Sequence, residues 1–238
     1  MLLIIQNDPE VPPGNFAETI HALNIPYRIV HPYTGETLPT LSEVSAAIVL
    51  GGAMGVHDTE EHPFLVQVKA FIRQCVSTET PLLGVCLGGQ LLADLMGGRV
   101  RANSPYGEKG TMEVTLTSAG EEDPLFAGIP HDFVTFQWHN DSFEIPAGGT
   151  LLASSSACAG QAFRFGAMAW GTQFHPEVDR SIVGCWARWT GETAPHAARF
   201  LSDFVLAEQP YLEVSRRMLG NFLGLAGFDT DNGTEKRP

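Results

Sequence analysis

The segment Pro81-Leu82-Leu83-Gly84-Val85-Cys86-Leu87-Gly88-Gly89-Gln90 constrains what this chain can fold into more than any other. A short apolar run enters a glycine-flanked cysteine, and a helix-like pattern, Leu91-Leu92-Ala93-Asp94-Leu95-Met96, begins at once. A strand that turns directly into a helix holds the residue at the bend on a strained backbone, with its side chain above the sheet edge. Gly84 and Gly88 lack the Cβ atoms that would clash in such a turn. The helix that follows aims its free N–H groups and positive dipole end at the bend, which favours a thiolate there. The pattern predicts a nucleophile elbow in which Cys86 is the nucleophile.

A cysteine nucleophile needs a base, and Gly171-Thr172-Gln173-Phe174-His175-Pro176-Glu177 offers one with its orienting group attached. Pro176 fixes its own φ and pushes His175 into an extended conformation, so a strand must end there. His175 and Glu177 then fall on one side of the turn, where the carboxylate can hold an imidazole N–H and stabilise the imidazolium. His-Pro-Glu alone is a common surface turn. Combined with the elbow it becomes a Cys-His-Glu triad.

The rest of the chain reads as a doubly wound α/β domain. Strands are expected at Leu2 to Gln6, Tyr27 to Val30, Ala46 to Leu50 and Leu82 to Val85, with helices at Phe16 to Leu23 and Pro63 to Val76. Such alternation implies parallel βαβ units, whose ligands bind outside the carboxyl ends of the strands. Beyond Arg99 the chain turns β-rich, at Gly110 to Thr117, Phe133 to Phe136, Leu151 to Ser154, Ala162 to Arg164 and Ala167 to Gln173. Two helical segments, Thr193 to Glu208 and Leu212 to Leu225, and a frayed tail from Asp229 to Pro238 complete it. One domain is expected over 1–238, with a catalytic core at 1–180, a helical extension at 181–228 and a tail at 229–238.

Composition narrows the partners. A net charge of −13 disfavours nucleic acid, whose phosphates need lysine and arginine. No apolar run has the length of a membrane span, and the opening Met1-Leu2-Leu3-Ile4-Ile5 lacks the basic lead of a secretory signal. The four cysteines are widely spaced, without metal-type pairs, so a reduced cytoplasmic setting is the expectation. Cys75 reads as a packed small hydrophobe; Cys158 and Cys185 have no functional reading. His57, Asp58, Glu60, Glu61 and His62 read as loop polar groups rather than metal ligands, and no metal or cofactor is expected.

Gly84-Val85-Cys86-Leu87-Gly88-Gly89-Gln90 followed by Phe174-His175-Pro176-Glu177 resembles the signature of class I (triad) glutamine amidotransferases. Two further segments agree. Ile48 to Asp58, through Gly51-Gly52-Ala53, resembles the strand and glycine turn that supply an oxyanion-hole amide in that family. Phe136-Gln137-Trp138-His139-Asn140-Asp141 resembles the substrate-side loop of its GMP synthetase-like branch. The resemblance covers about residues 1 to 205 and implies a flavodoxin-like, mostly parallel sheet and hydrolysis of the γ-amide of glutamine to glutamate and ammonia.

It also implies roles. Backbone N–H groups of Leu87 and of Gly52 or Ala53 would hold the oxyanion. Gln90 would contact the amino-acid end of glutamine, or be a plain helix-face residue. His139, Asn140 and Asp141 would form a loop whose backbone holds the α-ammonium and α-carboxylate, or His139 and Asp141 would bridge through their side chains to shape it. The chain has no Gly-x-x-x-x-Gly-Lys-Ser/Thr phosphate loop and no second module of synthase size. Ammonia would then pass to a separate acceptor or synthase subunit, or the domain would act alone. Two alternatives stand beside glutaminase activity: a γ-glutamyl peptidase using the same triad, and a non-catalytic partner-binding protein. Trp186, Trp189, Phe200, Phe204 and Leu219 make the extension a packed cap or a contact surface.

Overall fold

A computed structural model describes residues 1–230; of the expected tail, residues 231–238 lie outside the described part. Four strands open the fold, β1 (Leu2–Ile5), β2 (Tyr27–Val30), β3 (Ala46–Val49) and β4 (Leu82–Val85), interleaved with helices α1 (Gly14–Ala22) and α2 (Phe64–Ser77). After β4 come α3 (Leu87–Leu95), β5 (Val100–Arg101), β6 (Glu108–Leu116), the one-turn α4 (Ser118–Glu121), β7 (Asp132–His139), β8 (Ser142–Phe143), β9 (Gly149–Ser154), β10 (Ala162–Phe165) and β11 (Ala169–Thr172). Helices α5 (Arg180–Trp186) and α6 (Ala197–Leu225) close the described chain.

The nine-stranded sheet has the order β2-β1-β3-β4-β11-β10-β9-β6-β7. The first five strands are parallel neighbours, and the last four extend the sheet antiparallel. β5 and β8 form a separate two-stranded ribbon. β1, β3 and β4 are buried on both faces, which is why their sequences are unbroken apolar runs rather than alternating ones.

Alternate residues of β1 feed two cores. Leu2 and Ile4 pack with Phe16 and Ile20 of α1 and Met218 and Phe222 of α6. Leu3 and Ile5 pack with Leu65, Val68 and Ile72 of α2 and Leu87 and Leu91 of α3. The second half of α6 is therefore part of the main core, not an appendage to residues 1–180.

Local patterning predicts two helices between Thr193 and Leu225, but a single helix runs through Pro210. A proline removes the hydrogen bond to the carbonyl four residues earlier. That carbonyl belongs to Leu206, whose residue is 82% exposed, so water can satisfy it. Buried Phe204 and Tyr211, edge to face at 4.9 Å, hold the helix together across the proline. Helix α5 carries little sequence periodicity; it is started by Asp179, whose carboxylate accepts from the Ile182 N–H at 2.9 Å.

Candidate active site

The carboxyl ends of β1, β3, β4 and β11 converge beneath a cleft of about 400 Å³. Cys86 follows β4 at once and has φ 50° and ψ −104°, a conformation that side-chain-bearing residues rarely adopt. Its N–H donates to the Thr172 carbonyl at 2.8 Å, fixing the elbow to β11. The glycines of the motif are steric requirements. A Cβ on Gly88 would stand 2.1 Å from the Val49 carbonyl oxygen, and one on Gly84 would stand 2.5 Å from the Gly88 backbone. Cys86 forms part of the cleft floor with only 7% of its surface exposed.

His175 arrives from the end of β11. Its N–H donates to the Phe136 carbonyl at 2.8 Å, tying it to β7. Its ring stands edge to face with Trp186 at 4.7 Å. Nδ1 faces Glu177 Oε1 at 2.7 Å, so Nδ1 carries the proton, and the ring lies beside the Cys86 side chain. Gly51 leaves room for this contact: a Cβ there would meet His175 Cε1 at 3.0 Å and Cys86 Cβ at 3.5 Å. Burial alone would push the imidazole down, but the Glu177 charge, then that of Cys86, outweigh it and lift His175 from 6.5 to about 10. The arrangement thus favours an imidazolium beside the Cys86 sulfur at neutral pH.

A buried network holds the His-Pro-Glu turn. Tyr211 Oη donates to the carbonyls of His175 and Val178, both at 3.1 Å. Asn15 Nδ2 donates to the carbonyls of Pro176 and Val178 at 3.2 and 2.7 Å, and its Oδ1 accepts from Ser215 Oγ at 2.7 Å. No local pattern marks these three residues, because they come from α1 and α6. Gln173 likewise escapes a reading by motif: its Nε2 stands 3.6 Å from Cys86 Sγ, and its Oε1 accepts from Gln90 Nε2 at 3.2 Å.

Of the three expected oxyanion donors, the Ala53 N–H is directed to Asp8 Oδ2 at 3.0 Å. Gly52 and Leu87 are the remaining pair. Leu87 opens α3, where an N–H has no helical carbonyl to reach, and a Cβ on Gly52 would stand 3.0 Å from Leu87 Cδ2. Gln90, His139, Asn140 and Asp141 all line the cleft. The side-chain bridge that would join His139 to Asp141 is not formed. His139 Nδ1 instead donates to the Asp141 carbonyl at 2.7 Å, and Asp141 Oδ1 accepts from the Asn103 N–H at 2.9 Å. His139 Nε2 lies 3.6 Å from Glu108, a buried carboxylate that also accepts from Ser155 and Gln161.

The other cysteines stay outside the cleft. Cys75 is packed in α2, where burial pushes its thiol to about 12; Cys158 is buried and Cys185 exposed. Among the described residues no cluster of three or more His, Cys, Asp or Glu is placed to hold a metal, and no helix is long and apolar enough to cross a membrane. From the C-terminal segment Trp186, Trp189, Thr190 and Glu192 reach the cleft. Buried Trp186, Phe204 and Leu219 pack inward, whereas Trp189 is 40% exposed.

The model of the glutamine amidotransferase class-I family matches residues 14–184. The glutamine amidotransferase-like protein YfeJ of Salmonella typhimurium is 34% identical over 155 residues, which span 63% of this chain and 64% of YfeJ. One subunit of the glutamine-hydrolyzing GMP synthase of Halobacterium salinarum is 37% identical over 47% of this chain and 61% of its own length. Less than two thirds of either relative is therefore spanned. The corresponding GMP synthase subunit of Methanocaldococcus jannaschii is 29% identical over 77% of this chain and 92% of its own length. A glutamine amidotransferase crystal structure from Thermotoga maritima superposes with a TM-score of 0.85 at 27% identity, covering 93% of this chain and 97% of that one. The chain belongs to the glutamine amidotransferase class-I family.

Proposed function

We propose that this protein hydrolyses the γ-amide of glutamine to glutamate and ammonia through a γ-glutamyl thioester on Cys86, with His175 as acid and base and Glu177 as its orienting group. The observation that carries this reading is the His175 ring, lying beside the Cys86 side chain and at 2.7 Å from Glu177 on the other side, under an open cleft. The Cys86 thiolate attacks the amide carbon, and the N–H groups of Gly52 and Leu87 receive the developing oxyanion. Losing one such donor typically costs about 3 to 4 kcal/mol of barrier. The His175 imidazolium gives its proton to the departing ammonia. Neutral His175 then takes a proton from water, whose oxygen attacks the thioester; glutamate leaves and the thiolate–imidazolium pair is restored.

We read residues 1–228 as one amidotransferase domain. A separate synthase subunit that receives the ammonia is supported by the similarity to the two GMP synthase subunits. A second reading, cleavage of γ-glutamyl peptides by the same triad, is favoured by a cleft of about 400 Å³, roomy for a ligand as small as glutamine. The test is ammonia release from glutamine by purified protein, with mass spectrometry of a γ-glutamyl adduct on Cys86. Adduct and turnover with γ-glutamyl dipeptides but not with glutamine would select the peptidase. Correctly folded protein that forms no adduct with either class would remove both readings.

A further inference from the structure

Three indoles, Trp138, Trp186 and Trp189, line the cleft. Trp186 is buried, and its ring centre lies 4.7 Å from that of His175, the acid of the proposed reaction. Its Nε1 donates to the Glu10 carbonyl at 2.7 Å, which fixes the indole in place. Trp189 stacks on Trp186 at 6.3 Å and 25°, and Trp138, in β7, stands 6.4 Å from it. Trp138 is held in turn by Phe136 at 5.8 Å and by Phe200 at 5.2 Å. Because Trp189 is 40% exposed, the series of rings runs from His175 out to solvent. Trp186 and Trp189 lie beyond residue 184, where the family match ends, so most of this wall belongs to the chain's own extension.

In the proposed chemistry His175 gives its proton to the departing nitrogen, so whatever that nitrogen carries sits beside the His175 ring and its neighbours. Ammonia carries nothing, and a wall of fixed indoles does nothing for its departure. A substituent on the nitrogen would instead extend along Trp186 toward Trp189. Indoles favour aromatic groups there, because offset and edge-on ring contacts add to the gain from the area buried. A wall already held rigid also takes such a ring without first being ordered. We infer that Trp138, Trp186 and Trp189 form a leaving-group subsite for γ-glutamyl amides whose amine carries an aromatic ring, an aryl amine or an aromatic amino acid. The bonds that change are those of the proposed hydrolysis. The γ-amide C–N bond breaks, the amine leaves with the His175 proton, and water cleaves the thioester to glutamate. This inference rests on the cleavage of γ-glutamyl amides by the proposed triad.

The test compares kcat/KM for glutamine, γ-glutamyl-alanine, γ-glutamyl-leucine, γ-glutamyl-phenylalanine and γ-glutamyl-anilide. The phenylalanine compound should exceed the alanine compound by about 10- to 100-fold, with leucine between them. Trp189→Ala should cut that phenylalanine-to-alanine ratio by about 10-fold, and Trp189→Phe should keep most of it. An anilide as good as the phenylalanine compound supports an aryl-amine substrate, and a poorer one supports an aromatic amino acid. Leucine equal to phenylalanine, a ratio unmoved in Trp189→Ala, or hydrolysis of glutamine with none of the substituted amides would overturn the subsite. Calorimetric binding of the same compounds to Cys86→Ala separates the subsite from the chemistry. Trp189-dependent preference for the phenylalanine compound, without turnover in the wild type, supports the subsite and overturns hydrolysis. Cleavage of γ-glutamyl-alanine with no aromatic preference overturns the subsite alone, and absence of both binding and turnover overturns both.

Discussion

Replacing Glu177 with glutamine exchanges one carboxylate oxygen for an amide NH₂ and removes the charge that lifts His175. In the native protein burial opposes the imidazolium, and the Glu177 charge is the largest influence overcoming it. Without that charge burial dominates and His175 falls below its native value of about 10. Cys86 then loses its charged neighbour and its oriented base, and activity should drop by about 100-fold or more at neutral pH. Stability responds with a definite sign. A histidine lifted from 6.5 to about 10 stabilises the fold fully below pH 6.5, and that contribution disappears as pH rises through about 10. The native protein should therefore lose unfolding free energy as pH rises through that window. Glu177→Gln should show a much flatter slope there. A further deficit of about 1 to 3 kcal/mol should persist at the alkaline end, because Glu177 Oε2 has no hydrogen-bond partner and the new amide N–H groups would inherit that buried position. Denaturant titrations from pH 6 to 10, with alkylation rates of Cys86 against pH, read both effects. Parallel pH slopes in the two proteins, or an unchanged alkylation profile, would refute the coupling of Glu177 to the thiolate through His175.

Substitutions at three positions test the frame around the site. Cys86→Gly and Cys86→Ala should both be inactive, but the glycine variant should unfold at higher denaturant, by about 1 kcal/mol, because glycine tolerates φ 50°; equal midpoints would argue against strain at the elbow. Gly88→Ala should be destabilised by several kcal/mol or fail to fold, since its Cβ would meet the Val49 carbonyl at 2.1 Å and backbone cannot swing aside; near-native circular dichroism and melting would contradict that packing. Tyr211→Phe leaves the His175 and Val178 carbonyls without their hydroxyl donor, costing about 1 to 3 kcal/mol, and should lower kcat; a stability loss with wild-type kcat would show that the turn does not depend on this anchor.

The parts of the site that can be read from sequence are those whose chemistry is local. Gly84, Cys86 and Gly88 announce a bend because a Cβ at either glycine would collide with backbone. His175 and Glu177 meet because a proline between them sets the turn. β1, β3 and β4 are legible because burial on both faces requires unbroken apolar runs. What stays hidden depends on distant partners. Asn15, Tyr211 and Ser215 are ordinary helix residues until α1 and α6 bring them to the carbonyls of the His-Pro-Glu turn. Gln173 follows β11 as one polar residue among others, yet it reaches Cys86. Pro210 reads as a helix end because its rule is local, while the packing of Phe204 against Tyr211 that overrides it is tertiary. Glu192 belongs to the same class. Nothing in Thr190-Gly191-Glu192-Thr193 marks a cleft-lining residue, and only the fold puts its carboxylate beside Lys109. The Cys86–His175–Glu177 cluster can therefore be found by motif, whereas the residues that anchor its turn and line the cleft beside it come from segments whose place the fold alone assigns.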